Sequence, residues 1–111
     1  MNGPYTLDKA TIDRTITQTS AGAYILSKDG KNAHYVGRSD SDVNGRLKWW
    51  VDNSRKYSHF WFEYASSSMA AFDLECRWWH KYAPIDNKMH PDRPANSNWQ
   101  CPVCNIFSKG W

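Results

Sequence analysis

The chain has 111 residues, of which 41% are apolar and 23% charged, and its formal net charge is +3. That length suits one domain and argues against a second, so we expect a single domain over residues 1–111. No stretch approaches the roughly twenty apolar residues of a membrane span, and the polar first residues are unlike a signal peptide, which favours a cytoplasmic protein without a membrane partner. Three cysteines cannot all pair with one another, which argues against a secreted domain built on disulfides.

The first predicted elements are a short helix and a β-hairpin. Asp8 is a candidate N-cap for the helix. Residues 21–27 and 33–37 are rich in apolar, β-branched and aromatic residues, which predicts two strands. Asp29-Gly30 lies between them and is typical of a two-residue hairpin turn.

The length of the turn decides how the two strands pair. A two-residue turn would place Tyr24 directly opposite Tyr35, whereas a four-residue loop would pair Tyr24 with Gly37 and leave the tyrosines as diagonal neighbours. In either register the two phenols lie on the same face of the hairpin.

Two helices and a third strand follow. Residues 38–51 carry Ser and Asp N-caps before apolar residues at helical spacing, and residues 58–64 alternate as a strand. Residues 66–83 predict a second helix that Pro84 ends. The fold class is therefore α/β (α+β), with a small three-stranded, mainly antiparallel sheet flanked by helices. A proline-rich tail over residues 84–111 completes the chain and needs an anchor.

Four motifs stand on these elements in a characteristic order. GAY at residues 22–24 and YVG at residues 35–37 lie on the two hairpin strands. Arg46 lies on the predicted helix within residues 38–51, and Glu75 lies on the predicted helix of residues 66–83. This order and spacing resembles the GIY-YIG nuclease family over roughly residues 20–83. The resemblance implies a metal-dependent DNA endonuclease that hydrolyses phosphodiester bonds.

The residue types suit that chemistry. Arg46 offers a planar cation for phosphate oxygens, and Glu75 offers a hard oxygen ligand for Mg²⁺ or Mn²⁺. The resemblance implies that Tyr24 is the general base and that Tyr35 orients water or phosphate. It also implies that Arg38, directly after YVG, lies near the substrate phosphate.

The sequence departs from the family pattern at two places. Many members carry a His four residues after the helix arginine, but this chain has Trp50, which moves the role of base towards Tyr24. The family also uses an Asn downstream of the glutamate, for which Asn87, Asn96 and Asn98 all compete.

The cysteines predict a second, structural metal. Cys101 and Cys104 have the two-residue spacing of a zinc-binding pair, and Cys76 and His80 stand four apart on one helix face. Together they predict a Cys₃His zinc site that staples the tail to the helix, with His90 as the alternative fourth ligand. The competing interpretations are that Cys76 is an ordinary buried thiol and that the CPVC pair is a redox site.

The sequence leaves two other functions open. One is a nucleic-acid-binding module that keeps the fold without cleaving, although such a module would have no need of Glu75 near phosphate. The other is a zinc-stabilised protein-interaction domain, which would leave the paired tyrosines unexplained. Because the chain is short, sequence specificity would have to come from few contacts, from homodimerisation or from a targeting partner.

Overall fold

The computed structural model of the chain describes residues 1–94 and 96–108. Its elements follow in the order β1 Asn2–Thr6, α1 Lys9–Thr15, β2 Gly22–Ser27, β3 Tyr35–Ser39, α2 Val43–Asn53, β4 His59–Tyr64 and α3 Ser68–Tyr82, and a short 3-10 helix covers Ile106–Ser108. The described strands form one antiparallel sheet in the spatial order β1-β4-β2-β3. The predicted fold class, an antiparallel sheet flanked by helices, is confirmed.

The sheet has four strands within the described residues, where the sequence predicted three. The additional strand, β1, pairs with β4 through partners such as Tyr5 and Phe60. Four of its five residues are exposed, so no alternation of apolar and polar residues marks it in the sequence. The short helix behind it begins as predicted, because the Asp8 carboxylate accepts a hydrogen bond from the backbone N–H of Thr11 at 2.7 Å.

β2 is one of the two inner strands, and all six of its residues are buried. Tyr24 and Leu26 belong to the apolar cluster shared with α1 and α2 on one face of the sheet. Ala23 and Ile25 pack with Trp78 of α3 on the other face. Helices cover both faces, which explains why β2 is a continuous apolar run.

The hairpin of β2 and β3 pairs Tyr24 with Gly37 and Leu26 with Tyr35. The direct pairing of Tyr24 with Tyr35 is therefore wrong, and the alternative register, with the tyrosines as diagonal neighbours, is right. The cause is the side chain of Asp29, which accepts backbone hydrogen bonds from Lys31 at 2.8 Å and Asn32 at 2.9 Å. These bonds build a longer connection than a two-residue turn.

The two long helices begin at side-chain caps. Asp42 caps α2 by accepting a hydrogen bond from the backbone N–H of Gly45. A Cβ at Gly45 would lie 2.7 Å from the same carboxylate, so the cap leaves no room for a side chain there. Ser67 caps α3 in the same way. At its other end α3 stops at Ala83, whose φ of 43° is left-handed, and Pro84 follows.

The tail is described except for residue 95 and residues 109–111, which lie outside the described part of the chain. Asn87 ties it to the outer edge of β3 by donating to the backbone carbonyl of Val36 at 2.7 Å. Further on, a third apolar cluster joins the tail to α3, with Phe72, Cys76, Trp99, Cys101, Cys104 and Phe107 as members. Among the described residues, no helix is both long and apolar enough to cross a membrane.

Candidate active site

A cavity of about 240 Å³ lies where β2, β3, α2, α3 and the tail meet. Its lining includes all five residues that the sequence singled out as catalytic or phosphate-binding, and three that it did not. The lining residues are Tyr24, Tyr35, Gly37, Arg38, Asp40, Arg46, Glu75 and Asp92.

Tyr24 lies deepest, with 1% of its surface exposed. Its Oη accepts a hydrogen bond from Nε1 of Trp50 at 2.8 Å, and Arg46 also interacts with this oxygen. Burial raises the pKa of Tyr24 to about 12, although the Trp50 and Arg46 donors act in the opposite direction. Because Trp50 uses a lone pair of the phenol oxygen, the phenolic proton is free to point into the cavity.

Gly37 makes room for the Tyr24 ring. A Cβ at Gly37 would lie 2.6 Å from both Oη and Cζ of Tyr24, closer than any real contact allows. The glycine of the YVG motif is therefore needed for a tyrosine to lie across the neighbouring strand at this register.

Tyr35 is half-buried at the rim of the cavity and packs on Trp50, with ring centroids 4.8 Å apart. Its pKa is raised by burial and by the negative charge of Glu75, which Arg46 offsets in part. The aromatic contact fixes the phenol in place at the rim.

Arg46 and Trp49 lie one helical turn apart on α2. The Arg46 guanidinium stands over the Trp49 ring at 4.8 Å from its centroid, and 45% of the Trp49 surface is exposed. This cation–π contact supports the arginine beside the cavity without engaging its hydrogen-bond donors.

Glu75 projects from α3 and is 9% exposed. Its Oε1 accepts from Nη1 of Arg38 at 2.5 Å. Burial raises the pKa of Glu75, and the neighbouring Arg38 acts against that rise. A cation that reaches this buried carboxylate stabilises its negative charge.

Arg38 is shared among three oxygen acceptors. Besides Glu75, it donates from Nε to the Asp40 carboxylate at 2.9 Å and from Nη1 to the backbone carbonyl of Asp92 at 2.8 Å. Sequence reasoning missed Asp40 as part of the cavity. Asp40 could have been found from its position two residues after Arg38, directly beyond the end of β3. No local pattern indicates Asp92, because the tail brings it there.

No family model and no curated protein matches the sequence. The structure is similar to the GIY-YIG N-terminal endonuclease domain of UvrC from Thermotoga maritima bound to its catalytic magnesium, with a TM-score of 0.56 and 21% identity, covering 68% of this chain and 94% of that one. A point mutant of the same domain, bound to its catalytic divalent cation, gives a TM-score of 0.55 and 20% identity, covering 68% and 93%. The chain has the GIY-YIG endonuclease fold.

The three asparagines that competed for the family position differ in their surroundings. In this GIY-YIG fold Asn87 bonds both backbone groups of Val36, at 3.3 Å to the N–H and 2.7 Å to the carbonyl, so it extends the edge of β3. Asn98 lines a different cavity beside Phe72. None of the three asparagines is among the described residues that line the cavity of Tyr24, Tyr35 and Glu75.

A second cluster of polar side chains lies where the tail meets α3. One ligand-type atom from each of His80, His90, Cys101 and Cys104 lies within 4.8 Å of the others. Burial of the Cys101 thiol opposes its ionisation, but hydrogen bonds from the backbone N–H groups of Val103 and Cys104 and from the side chains of His90 and Cys104 together lower its pKa to about 6.

Among the described residues, this cluster does not include Cys76. The predicted ligand set of Cys76, His80, Cys101 and Cys104 is corrected accordingly. The alternative had His90 in place of His80, whereas the described cluster contains both histidines and no Cys76. Cys76 is fully buried in the apolar cluster with Phe72, and burial raises the pKa of its thiol well above the ordinary value. That environment suits an inert buried thiol.

Proposed function

We propose that this protein is a divalent-metal-dependent endonuclease that hydrolyses phosphodiester bonds of DNA. The observation that carries the proposal is the convergence of two phenols, two guanidinium groups and one buried carboxylate on a single cavity. Such a set holds phosphate, a hard cation and a proton acceptor within reach of one another. The likeness to a magnesium-bound endonuclease domain supports it.

Glu75 would hold the catalytic Mg²⁺ or Mn²⁺. The carboxylate fits, because it is buried, its pKa is raised by that burial, and it already attracts a cation in the form of Arg38. A single carboxylate suits Mg²⁺, which keeps most of its waters and takes further oxygens from the substrate. When bound, the ion supplies Lewis-acid stabilisation of the charge that develops on the phosphate.

Tyr24 would accept the proton of the attacking water. Its raised pKa makes the isolated phenol a poor base at neutral pH, so its ionisation must be assisted. Trp50 and Arg46 both interact with the phenol oxygen in the direction that favours the phenolate. Tyr35, fixed by Trp50 at the rim, would orient water or a phosphate oxygen.

The two arginines would divide the phosphate contacts. Arg46 rests on an aromatic ring, and the donors that it does not direct at Tyr24 would bind phosphate oxygens in the transition state. Arg38 would contact the substrate phosphate while it remains tied to Asp40 and to the Asp92 carbonyl. Zinc, the second ion that the sequence predicts, has no part in this chemistry, since none of its four candidate ligands lines the described cavity.

The alternative function is a nucleic-acid-binding module of the same fold that does not cleave. Glu75 argues against it, because a buried negative charge inside a phosphate-binding cavity weakens binding unless a metal cation lies between. A pure binding module would gain from a neutral residue at that position.

The test is cleavage of labelled single-stranded, duplex and branched DNA with Mg²⁺, with Mn²⁺ or with EDTA. We expect cleavage of at least one substrate that requires the divalent ion. Glu75→Gln should abolish it while DNA binding in EDTA persists or strengthens. Glu63→Gln changes the only other glutamate of the sequence, which lies outside the cavity, and should cleave like the wild type. Metal-independent cleavage, or full activity of Glu75→Gln, would overturn the proposal.

A further inference from the structure

We propose that His80, His90, Cys101 and Cys104 form a Cys₂His₂ zinc site that fastens the tail to α3. A consequence, which rests on the proposed nuclease function, is that the zinc-held loop orients Arg38 in the catalytic cavity. The tail has no described helix or strand before residue 106, so a metal would reinforce the apolar cluster that joins this irregular segment to α3.

The four groups have the spacing that one zinc ion needs. With bonds of about 2.0 Å to nitrogen and 2.3 Å to sulfur, ligand atoms around a tetrahedral zinc lie about 3.3–3.8 Å apart. Nε2 of His90 and Sγ of Cys104 are already 3.3 Å apart, and all four atoms lie within 4.8 Å of one another. Small side-chain movements would complete the tetrahedron.

His80 provides the observation that separates a metal site from simple packing. Its Nε2 is buried and finds no hydrogen-bond partner among the described residues. A buried polar atom without a partner is costly, and native proteins avoid it unless an ion or water completes the site. The imidazole that carries this nitrogen belongs to the same cluster as two thiols and a second imidazole, which is a zinc environment.

His90 is already oriented as a ligand. Its Nδ1 lies 2.8 Å from the carbonyl oxygen of Pro91, which makes Nδ1 the protonated donor and leaves the lone pair of Nε2 free beside Cys104. A hydrogen bond from the other ring nitrogen to a carbonyl is the usual way in which proteins orient a metal-binding histidine. The ring also packs against Trp79 and Phe107, which restrict its rotation.

The donor types select the metal. Two thiolates and two imidazoles favour Zn²⁺ and exclude Mg²⁺, which takes oxygen ligands. Glu75 offers the opposite chemistry, a hard carboxylate oxygen. The two sites would therefore bind different ions without competition.

The zinc site is joined to the cavity by two residues of backbone. His90 would be a ligand, and Asp92, two residues later, accepts a hydrogen bond through its carbonyl oxygen from Nη1 of Arg38 at 2.8 Å. The same nitrogen of Arg38 bonds Glu75. Zinc bound at His90 would thus fix the carbonyl that orients Arg38, which makes Asp92 a positioning residue.

The first experiment measures metal content and needs no DNA. Purified wild-type protein should contain about one zinc per chain after dialysis that removes Mg²⁺. Cys104→Ser and His90→Ala should lose it, and Cys76→Ala should retain it. His59→Ala, a histidine outside the cluster, is the matched control. Because Cys104 is only partly buried, its substitution should leave the sheet folded, as circular dichroism would show.

Two outcomes would overturn the site. Wild-type protein that contains no zinc when produced in zinc-supplemented medium, and that shows no thiolate-to-cobalt absorption on Co²⁺ titration, has no such site. Zinc retained in His90→Ala but lost in Cys76→Ala would replace our ligand set with the Cys₃His alternative.

The second experiment tests the link to Arg38. At saturating Mg²⁺, Cys104→Ser should raise the KM for DNA about tenfold, and it should have little further effect in Arg38→Ala, where the guanidinium is already gone. Equal effects of Cys104→Ser in both backgrounds would refute the link. If the wild type cleaves no DNA, the proposed function fails while the metal analysis still decides the zinc site.

Discussion

The indole Nε1 of Trp50 donates a hydrogen bond to Tyr24 Oη at 2.8 Å, from the helix position where many GIY-YIG nucleases carry a histidine. A tryptophan has no proton to exchange at neutral pH, so it cannot replace a histidine base. It can hold the phenol of Tyr24 in place and stabilise its ionised form. In the proposed mechanism Tyr24 therefore has the base chemistry, and Trp50 supports it.

Tyr24→Phe should lower kcat on the order of a hundredfold, since general bases typically contribute at least that much. Trp50→Phe keeps an aromatic ring but loses the donor, so we expect a smaller loss of about tenfold. Tyr82→Phe is the matched control, because Tyr82 lies on α3 outside the cavity. A Tyr24→Phe enzyme that cleaves at the wild-type rate would indicate that metal-bound hydroxide needs no protein base.

The rate should rise with pH in the alkaline range if Tyr24 is the base. Because burial raises the pKa of Tyr24 to about 12, the reactive phenolate is scarce at neutral pH and its share grows with pH. The log of kcat should climb between pH 7 and 10 in the wild type and flatten in Tyr24→Phe. The pH profile of kcat at saturating Mg²⁺ measures this, and an unchanged slope in the variant would contradict it.

Arg38 forms an ion pair with the Glu75 carboxylate that would hold the metal. Removal of the Arg38 side chain should therefore strengthen metal binding and weaken DNA binding. In Arg38→Ala we expect Mn²⁺ to bind about tenfold more tightly without DNA, because a competing positive charge is gone. DNA binding should weaken. Titration calorimetry with Mn²⁺ measures the first effect, and weaker Mn²⁺ binding would show that Arg38 supports the metal site.

Arg46→Ala should reduce kcat far more than it reduces DNA affinity. Arg46 is held by Trp49 beside the cavity, where transition-state charge would develop. Single-turnover rates and filter binding with the same DNA separate the two effects. Arg14→Ala removes a cation of α1 that does not line the cavity and serves as the control. A loss confined to binding would make Arg46 an ordinary electrostatic contact.

Glu75 should make the stability of the metal-free protein fall as the pH rises. Burial raises the pKa of Glu75 above its ordinary value of 4.5, and Arg38 only partly offsets this. Between that value and the raised pKa the folded state binds more protons than the unfolded chain, so the free energy of unfolding decreases with pH across the window. Urea unfolding in EDTA at several pH values should show this decrease relative to Glu75→Gln, whereas parallel profiles would contradict it.

The sequence alone was sufficient to find most of the residues that line the cavity of Tyr24 and Glu75. GAY and YVG lie on strands whose side chains alternate, and Arg46 and Glu75 lie on helices with clear caps, so local periodicity placed each group on the correct element. The motif order then carried the nuclease resemblance. These features depend on neighbouring residues, which is why they can be recognised without a structure.

The tertiary structure decided the remainder, because those features depend on residues far apart in the chain. The hairpin register depends on hydrogen bonds of the Asp29 side chain, which the turn preference of the Asp29-Gly30 pair does not predict. Strand β1 lies at the edge of the sheet with most of its residues exposed, so its sequence has no strand pattern. The choice of His90 over Cys76 rested on which side chain the folded tail brings to His80. Helical spacing placed Cys76 beside His80 on α3, and its thiol interacts with Cys101, but the four groups whose ligand atoms all lie within 4.8 Å of one another are His80, His90 and both CPVC cysteines.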